Sequence, residues 1–145
     1  MLYTGTFLAN RRLLKPPNIM KRFFTILSAF ILLSSFSYLK GIDDIIAALK
    51  SGNASQVARY FDNSVEITLP QKSNTYSRSQ GEMILRDFFV NNNIKGFDVI
   101  HQGENGGSLY CIGTLFTRTA QFRTTVFLKQ KGAHQTIQEI RFENR

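Results

Sequence analysis

The chain has 145 residues and a formal net charge of +8, a value that leaves a nucleic-acid-binding protein open at first sight. The charge is uneven, because five of the 18 basic residues and none of the acidic residues precede residue 38. Residues 38–145 carry 13 basic and 10 acidic side chains, a net charge of +3, so we expect no nucleic-acid partner. A segment of this length suits one domain with one core, and its single cysteine excludes an internal disulfide.

Residues 20–39 have the layout of a secretory signal peptide. Lys21 and Arg22 precede an apolar run from Phe23 to Phe36. The run suits a signal-peptide core and is short for a membrane-spanning helix of about 20 residues. We predict cleavage near Ser37, export to the periplasm or cell surface, and membrane contact only through this segment.

Two alternatives remain open at the N-terminus. The segment is an uncleaved anchor if Tyr38 and Leu39 prolong the apolar run. The second alternative concerns the start of translation. Residues 1–19 lack a core pattern and Met20 directly precedes Lys21 and Arg22, so translation begins at Met20 or residues 1–19 extend the basic part of the signal peptide. The predicted organisation is an extended or mis-assigned N-terminus, a signal peptide and a single domain: residues 1–19, 20–37 and 38–145.

Two helices and a strand are predicted first. Residues 42–50 place apolar side chains at helical spacing, and Gly52 follows as a stop signal. Asn53 or Ser55 caps a second, short helix that ends at Tyr60. The run Val65–Leu69 alternates apolar and polar residues, which predicts a half-buried strand.

A polar loop, with or without a short strand near Tyr76, is predicted over residues 71–77. The longest helix follows from Ser79 to Asn91, with Ser79 and Glu82 as a reciprocal capping pair. Its apolar face is expected to be buried and contains four side chains: Ile84, Leu85, Phe88 and Phe89.

Strand-like residues dominate the rest of the chain. Glycine-containing breaks at residues 105–107 and 131–133, together with a break near residue 119, predict an antiparallel meander. The predicted strands cover residues 94–104, 108–118, 121–131 and 134–143. The strand at 108–118 carries apolar residues at both parities, so we expect helices on one sheet face and a partner or ligand on the other.

Four segments carry a resemblance to a known family. They are Ile45–Asn53, Tyr60–Asp62, Tyr110–Leu115 and Ile137–Glu143. Over residues 40–145 the chain resembles an exported bacterial family known only as domain of unknown function 4783, within the nuclear-transport-factor-2-like superfamily. The resemblance implies an α+β fold in which a curved antiparallel sheet wraps around a long helix and forms a cone. It implies no activity, because the superfamily contains enzymes, binding domains and dimerisation modules.

Enzymes similar to ketosteroid isomerase or scytalone dehydratase place an acid and a histidine or tyrosine inside such a cone. The matching candidates in this sequence are Asp98, His101 and Tyr110. Side chains alternate between the two faces of a sheet, and Asp98 and His101 are three positions apart in one predicted strand. They therefore share a sheet face only if a bulge lies between them. This conflict favours an exposed acid and a non-catalytic histidine, and we assign no catalytic residue.

Further candidates for a ligand pocket are Phe116 and Arg123. Tyr110, Phe116, Phe122 and Phe127 are more simply explained as core aromatics. Arg118 and Arg123 flank a predicted hairpin and form a basic rim, interpreted as a solvated edge with an anionic partner as the alternative. The two histidines and Cys111 have no metal-ligand spacing, so we expect neither a metal nor a cofactor.

The sequence therefore leaves two functions open. The first is an exported, non-enzymatic binding domain, with a homodimer, a small apolar ligand and a protein partner as alternatives. The second is a small-molecule lyase or isomerase with a pocket inside the cone.

Overall fold

The computed structural model describes residues 40–145, so the predicted signal segment and its cleavage site lie outside the described part of the chain. Two short helices and two strands precede a longer helix, and four strands follow it. The elements are α1 (Lys40–Lys50), α2 (Ala54–Ala58), β1 (Phe61–Leu69), β2 (Lys72–Ser77), α3 (Arg78–Asn92), β3 (Ile94–Asn105), β4 (Ser108–Thr117), β5 (Gln121–Lys131) and β6 (His134–Asn144).

The strands form one curved, open sheet in the order β2-β1-β6-β5-β4-β3. Strands β3 to β6 make the predicted antiparallel meander. Strand β1 pairs with β6 in parallel, with Phe61 opposite Ile137 and Ile67 opposite Ile140. The predicted α+β fold is confirmed, and the parallel pair is a feature that the sequence pattern did not indicate.

The prediction of a polar loop at residues 71–77 is wrong for most of that segment. Residues 72–77 form β2, which pairs antiparallel with β1 from Leu69 to Ser64. Apart from Tyr76, which is half-buried, every residue of β2 is exposed. An edge strand whose two faces are both exposed to solvent has no alternation of apolar and polar residues, so its composition resembles that of a loop.

The capping pair predicted for the long helix is also wrong. Ser77 caps α3: its hydroxyl accepts a hydrogen bond from the Gln80 amide, and the Gln80 side chain accepts one from the Ser77 amide. The cap therefore lies two residues before the predicted one, and the helix begins at Arg78, one residue before its predicted start. Glu82 instead forms a 2.6 Å ion pair with Arg86.

The core lies between the helices and one face of the sheet, called here the inner face. Leu85, Phe88 and Phe89 of α3 are buried as predicted. The Phe88 ring lies 4.7 Å from the Phe142 ring and 5.3 Å from the Phe122 ring, measured between centroids. These contacts join α3 to the inner face of β5 and β6 through tilted and edge-on aromatic pairs.

The Tyr60–Asp62 segment joins the helices to the sheet. The Tyr60 hydroxyl donates to Asp44 of α1 at 2.7 Å, and burial together with this bond raises the pKa of Tyr60 to about 12. Asp62 forms a 2.6 Å ion pair with Lys131 and accepts a 2.6 Å hydrogen bond from Gln138. These contacts give the segment a structural role.

Candidate functional site

The five candidate residues from the sequence lie on the outer face of the sheet, opposite the helices. Phe97, Leu115 and Phe122 are paired across β3, β4 and β5 and are all buried in the core. Successive residues of a strand point to opposite faces. The next paired row, Asp98 with Thr114 and Arg123, therefore faces outward.

A bulge in β3 brings Asp98 and His101 to the same face. Val99 pairs with Gly113 and His101 pairs with Ile112, so Ile100 has no partner in the register. The inserted residue reverses the parity of everything that follows it in the strand. The bulge that the parity argument required is thus present, and it places both side chains on the exposed outer face.

Tyr110 and His101 form a polar contact on this face. The Tyr110 hydroxyl lies 3.0 Å from His101 Nε2, and the two ring centroids are 5.6 Å apart. The Tyr110 ring covers Gly103 so closely that a β-carbon at Gly103 would overlap its hydroxyl end. Glycine at position 103 therefore allows the tyrosine to cross onto β3 and reach the histidine.

Apolar side chains continue from this pair across the outer face. Ile112 and Phe116 are half-buried, and Phe127, which pairs with Tyr110 across β4 and β5, is 37% exposed. The Arg141 guanidinium lies 5.9 Å from the Phe127 ring centroid and forms an ion pair with Glu139. The expectation that aromatics of β4 and β5 form the core holds for Phe122, which is buried, and fails for Tyr110, Phe116 and Phe127.

A row of charges of both signs crosses the outer face. Asp98, Arg123 and Glu143 lie in this row, and all three are exposed. The row passes between Ile112 and Phe116, so the apolar patch of this face is Tyr110, Ile112 and Phe127. Glu66, exposed on the adjacent β1, pairs with Glu139 and adds acidic charge beside the patch.

The inner face offers no comparable set of reactive groups in residues 40–145. Cys111 is buried there, and burial raises the pKa of its thiol to about 11, which keeps it protonated and weakly nucleophilic. No cluster of three or more His, Cys, Asp or Glu residues that could hold a metal exists in the described residues. Over the same range, no helix has the length and apolarity needed to span a membrane.

The described residues form several surface grooves, and three of them are as follows. The first, of about 420 Å³, includes Arg86, Phe89 and Val90 in its wall. A smaller one of about 220 Å³ lies beside Asp44 and Tyr60. The third, of about 510 Å³, is at the end of the sheet where the β4–β5 turn approaches Arg145.

Comparison with known families decides the identity of the fold. The family model described as "Domain of unknown function (DUF4783)" matches residues 42–143. The chain belongs to the DUF4783 family. No curated protein matches it.

Solved structures agree with this assignment. The DUF4783 domain resembles a family protein from Bacteroides ovatus ATCC 8483, with 29% identity over 70% of this chain and 93% of that chain and a TM-score of 0.68. A relative from Bacteroides fragilis YCH46 gives 30% identity, coverage of 70% and 96%, and a TM-score of 0.67.

More distant structures share only the fold with the DUF4783 domain. A putative ketosteroid isomerase from Kribbella flavida DSM 17836 is 14% identical over 75% of this chain and 78% of that chain, with a TM-score of 0.56. A protein described as Rd1NTF2_04 with long sheet is 18% identical, covers 71% and 96%, and has a TM-score of 0.59. The nuclear-transport-factor-2-like fold expected from the sequence is thereby confirmed.

Proposed function

We propose that this DUF4783 domain is a non-catalytic interaction module that forms a homodimer through the outer face of its sheet. The observation that carries the proposal is the apolar patch of Tyr110, Ile112 and Phe127 on the outer face of the sheet, opposite the packed core. Exposed apolar patches on folded domains commonly mark interaction sites.

The charges of the face favour a second copy of the chain as the occupant. A two-fold interface places the same surface on both sides, so a face with charges of one sign would repel its own copy. Acidic Asp98 and Glu143 flank basic Arg123 in one row, and Arg141 lies in the next row. Both signs needed for self-complementary contacts are therefore present.

The size of the face suits a dimer as well. The five longer strands, β1 and β3 to β6, lie about 4.8 Å apart and are about ten residues long. They give the outer face an area of roughly 800 Å². A standard interface buries about the same area on each partner. A small apolar ligand would need a concave pocket, so the open patch suits such a ligand less well than it suits a protein surface.

The chemistry of the face supports binding over catalysis. His101 and Asp98 are both exposed on the outer face and no hydrogen bond joins them within residues 40–145. A general base needs a site that positions a substrate and excludes water. The packed aromatic cluster of Phe88, Phe122 and Phe142 occupies the space where a pocket inside the sheet would lie.

Light scattering on residues 38–145 tests the dimer. This segment is a suitable protein because the family relative from Bacteroides ovatus, 93% of which is covered by the match, forms crystals as a domain of this kind. We expect a dimer for the unmodified domain. Phe127→Asp places a charge in the patch and should raise the dissociation constant at least about 100-fold.

Met83→Asp is the matched control, because Met83 is 62% exposed on α3, on the helical side of the molecule. This variant should dimerise like the unmodified domain. A monomer at high protein concentration in all three samples would contradict the proposal. Equal effects of the two substitutions would contradict the assignment of the interface to the outer face.

We also propose that the domain works after export, with cleavage near Ser37. The support is the order of basic cluster, apolar run and small residues between Met20 and Ser37. The intact mass of the protein recovered from a cell-envelope fraction checks it. Leu32→Arg interrupts the apolar run and should leave a longer, unprocessed chain in the cytoplasm.

A further inference from the structure

The groove of about 510 Å³ at the end of the sheet has two arginines in its wall. Arg118 projects from the β4–β5 turn and Arg145 follows β6, and Phe116 forms an apolar part of the lining. The two arginines are 27 positions apart in the sequence, so only the fold brings them together. Nothing in the dimer proposal requires either of them.

Neither guanidinium is neutralised by a carboxylate in the described residues. The ion pairs of residues 40–145 involve Arg86, Lys131 and Arg141. Arg118 and Arg145 are both exposed and take part in none of them. Two positive charges outside any ion pair create a local potential that attracts an anion, and Asp98 and Glu143, in the row of Thr114, reduce it without cancelling either charge by contact.

One of the two guanidinium groups is held in place. Arg145 Nη1 donates to the Thr114 hydroxyl at 2.7 Å, and a preorganised donor loses less conformational entropy when a ligand binds. The Arg118 amide donates to the carbonyls of Asn92 and Asn93, at 3.3 and 3.2 Å, which fixes the backbone of the β4–β5 turn at the end of α3. The Arg118 side chain itself stays exposed.

The Thr117 hydroxyl and two amides of the turn already have partners. The hydroxyl donates to the Ala120 carbonyl at 2.9 Å and accepts from the amides of Thr119 and Ala120 at 3.4 and 3.0 Å. The charged donors among the lining residues are the two arginines.

We propose that this groove binds the phosphate group of a phosphate ester. Each guanidinium can donate two parallel hydrogen bonds to an oxyanion. A phosphate monoester carries up to two negative charges on three free oxygens and so matches two guanidinium groups better than a carboxylate, which has one charge on two oxygens. The volume exceeds that of a phosphate alone, so the Phe116 ring is available to the organic part of the ester.

The ester has two chemical sources, a soluble metabolite or the headgroup of an anionic phospholipid. Calorimetry with phenyl phosphate tests the first source, with benzoate and phenol as matched compounds. Cosedimentation with phosphatidylcholine vesicles that contain phosphatidic acid tests the second. Both use the protein produced from the full chain.

We expect at least one phosphate probe to bind more tightly than its phosphate-free counterpart. Arg118→Gln and Arg145→Gln should each weaken binding at least tenfold. Arg78→Gln is the control: Arg78 is also exposed and unpaired in the described residues, but it lies at the opposite end of α3. This variant should bind normally, and added salt should weaken binding for every form of the protein.

Binding of phenyl phosphate that depends on both arginines assigns the groove to soluble esters, and arginine-dependent binding of the vesicles alone assigns it to a headgroup. Benzoate bound as tightly as phenyl phosphate would overturn the proposal. Equal binding by the Arg78 and Arg118 variants, or no binding to either phosphate probe at millimolar concentration, would also overturn it.

Arg118→Gln removes no hydrogen bond within the fold, so it keeps the test valid if Arg145→Gln lowers stability. The readout is ligand binding, so a failure here is distinct from a failure to dimerise.

Discussion

Asp62 is the side chain with the densest set of polar contacts at the start of the sheet. Lys131 reaches it from the β5–β6 hairpin, Gln138 from β6, and the Asn63 amide from its own strand. The ion pair with Lys131 is the main cause that lowers the pKa of Asp62 to about 2, and the Asn63 and Gln138 bonds add to it. One carboxylate thus connects β1 to both of the last two strands.

Replacing Asp62 by Asn should destabilise the domain at neutral pH. The substitution removes the ion pair and weakens two hydrogen bonds, which we expect to cost about 1–2 kcal/mol of unfolding free energy. Urea unfolding at pH 7 measures the difference. Asp87→Asn is the control, because Asp87 is exposed on α3 and forms no ion pair within residues 40–145.

The pH dependence of this difference has a defined sign. A carboxyl group whose pKa falls on folding stabilises the native state above its unfolded value, about 3.9 for aspartate. That stability is lost as the pH falls through the folded value of about 2. The gap between the unmodified domain and Asp62→Asn should therefore shrink between about pH 4 and pH 2. A constant gap over this range would show that the carboxylate does not act through its charge.

Gly113 is a second position where one residue fixes the geometry of the sheet. A β-carbon there would overlap the Phe97 ring and approach the Asp98 carbonyl oxygen to 2.6 Å. The carbonyl belongs to the neighbouring strand and cannot move without breaking the β3–β4 pairing. Gly113→Ala should destabilise the domain by roughly 1–3 kcal/mol, through overpacking.

Gly96 is the matched control for this substitution. It lies in β3, and a β-carbon there would meet no atom within 4 Å. Gly96→Ala should be neutral or slightly stabilising, because it also reduces the freedom of the unfolded chain. Thermal unfolding of both variants checks the pair, and equal melting temperatures would contradict the steric argument.

At the scale of elements, the start of α3 gives a direct test of the capping assignment. Ser77→Ala removes the acceptor for the Gln80 amide and should cost about 1 kcal/mol. Ser79→Ala changes a residue inside the first turn and should have little effect. Chemical denaturation measures the unfolding free energy of the two variants. A larger loss of unfolding free energy for Ser79→Ala would show that Ser79 caps the helix, as the sequence predicted.

The strands of the meander were predictable because each has its own turn signal. Residues 94–104, 108–118, 121–131 and 134–143 differ from the observed strands by a residue at most at either end. Glycine-containing breaks and β-branched residues are local signals, so they can be recognised without tertiary contacts. The edge strand β2 was foreseen only as an alternative, a short strand near Tyr76, because its polar residues satisfy the chemistry of a loop equally well.

The candidate site shows where local signals fail. The sequence identified Asp98, His101 and Tyr110 as polar residues of interest, but strand parity depends on the bulge at Ile100. No glycine or proline marks that bulge. The pairing of Arg118 with Arg145 was equally hidden, since it depends on contacts between separate strands and had no pattern in the chain.

For the molecule as a whole, Cys111 reports on global unfolding. It lies in the central part of β4 and is 1% exposed, and burial raises the pKa of its thiol. A thiol reagent should therefore reach it only when the sheet opens. We expect labelling of the native domain to be slower than labelling in urea by a factor of ~10³ or more.

The labelling rate should also respond to the destabilising substitutions. Gly113→Ala should speed it in proportion to the lost unfolding free energy, and Gly96→Ala should not. Mass spectrometry of a time course measures both rates. Labelling of the folded domain as fast as in urea would show that the thiol is reached by a local opening instead.

The parallel pairing of β1 with β6 has a consequence for the order of events during synthesis. Phe61 and Ile137 are neighbours in the sheet but are made far apart in time, with the whole meander between them. When β1, β2 and α3 leave the ribosome, the strand that completes their sheet has not been translated. Distant pairings of this kind slow folding. The parallel pair of β1 and β6 can therefore form only after β6 has emerged, which makes it one of the last parts of the sheet to be completed.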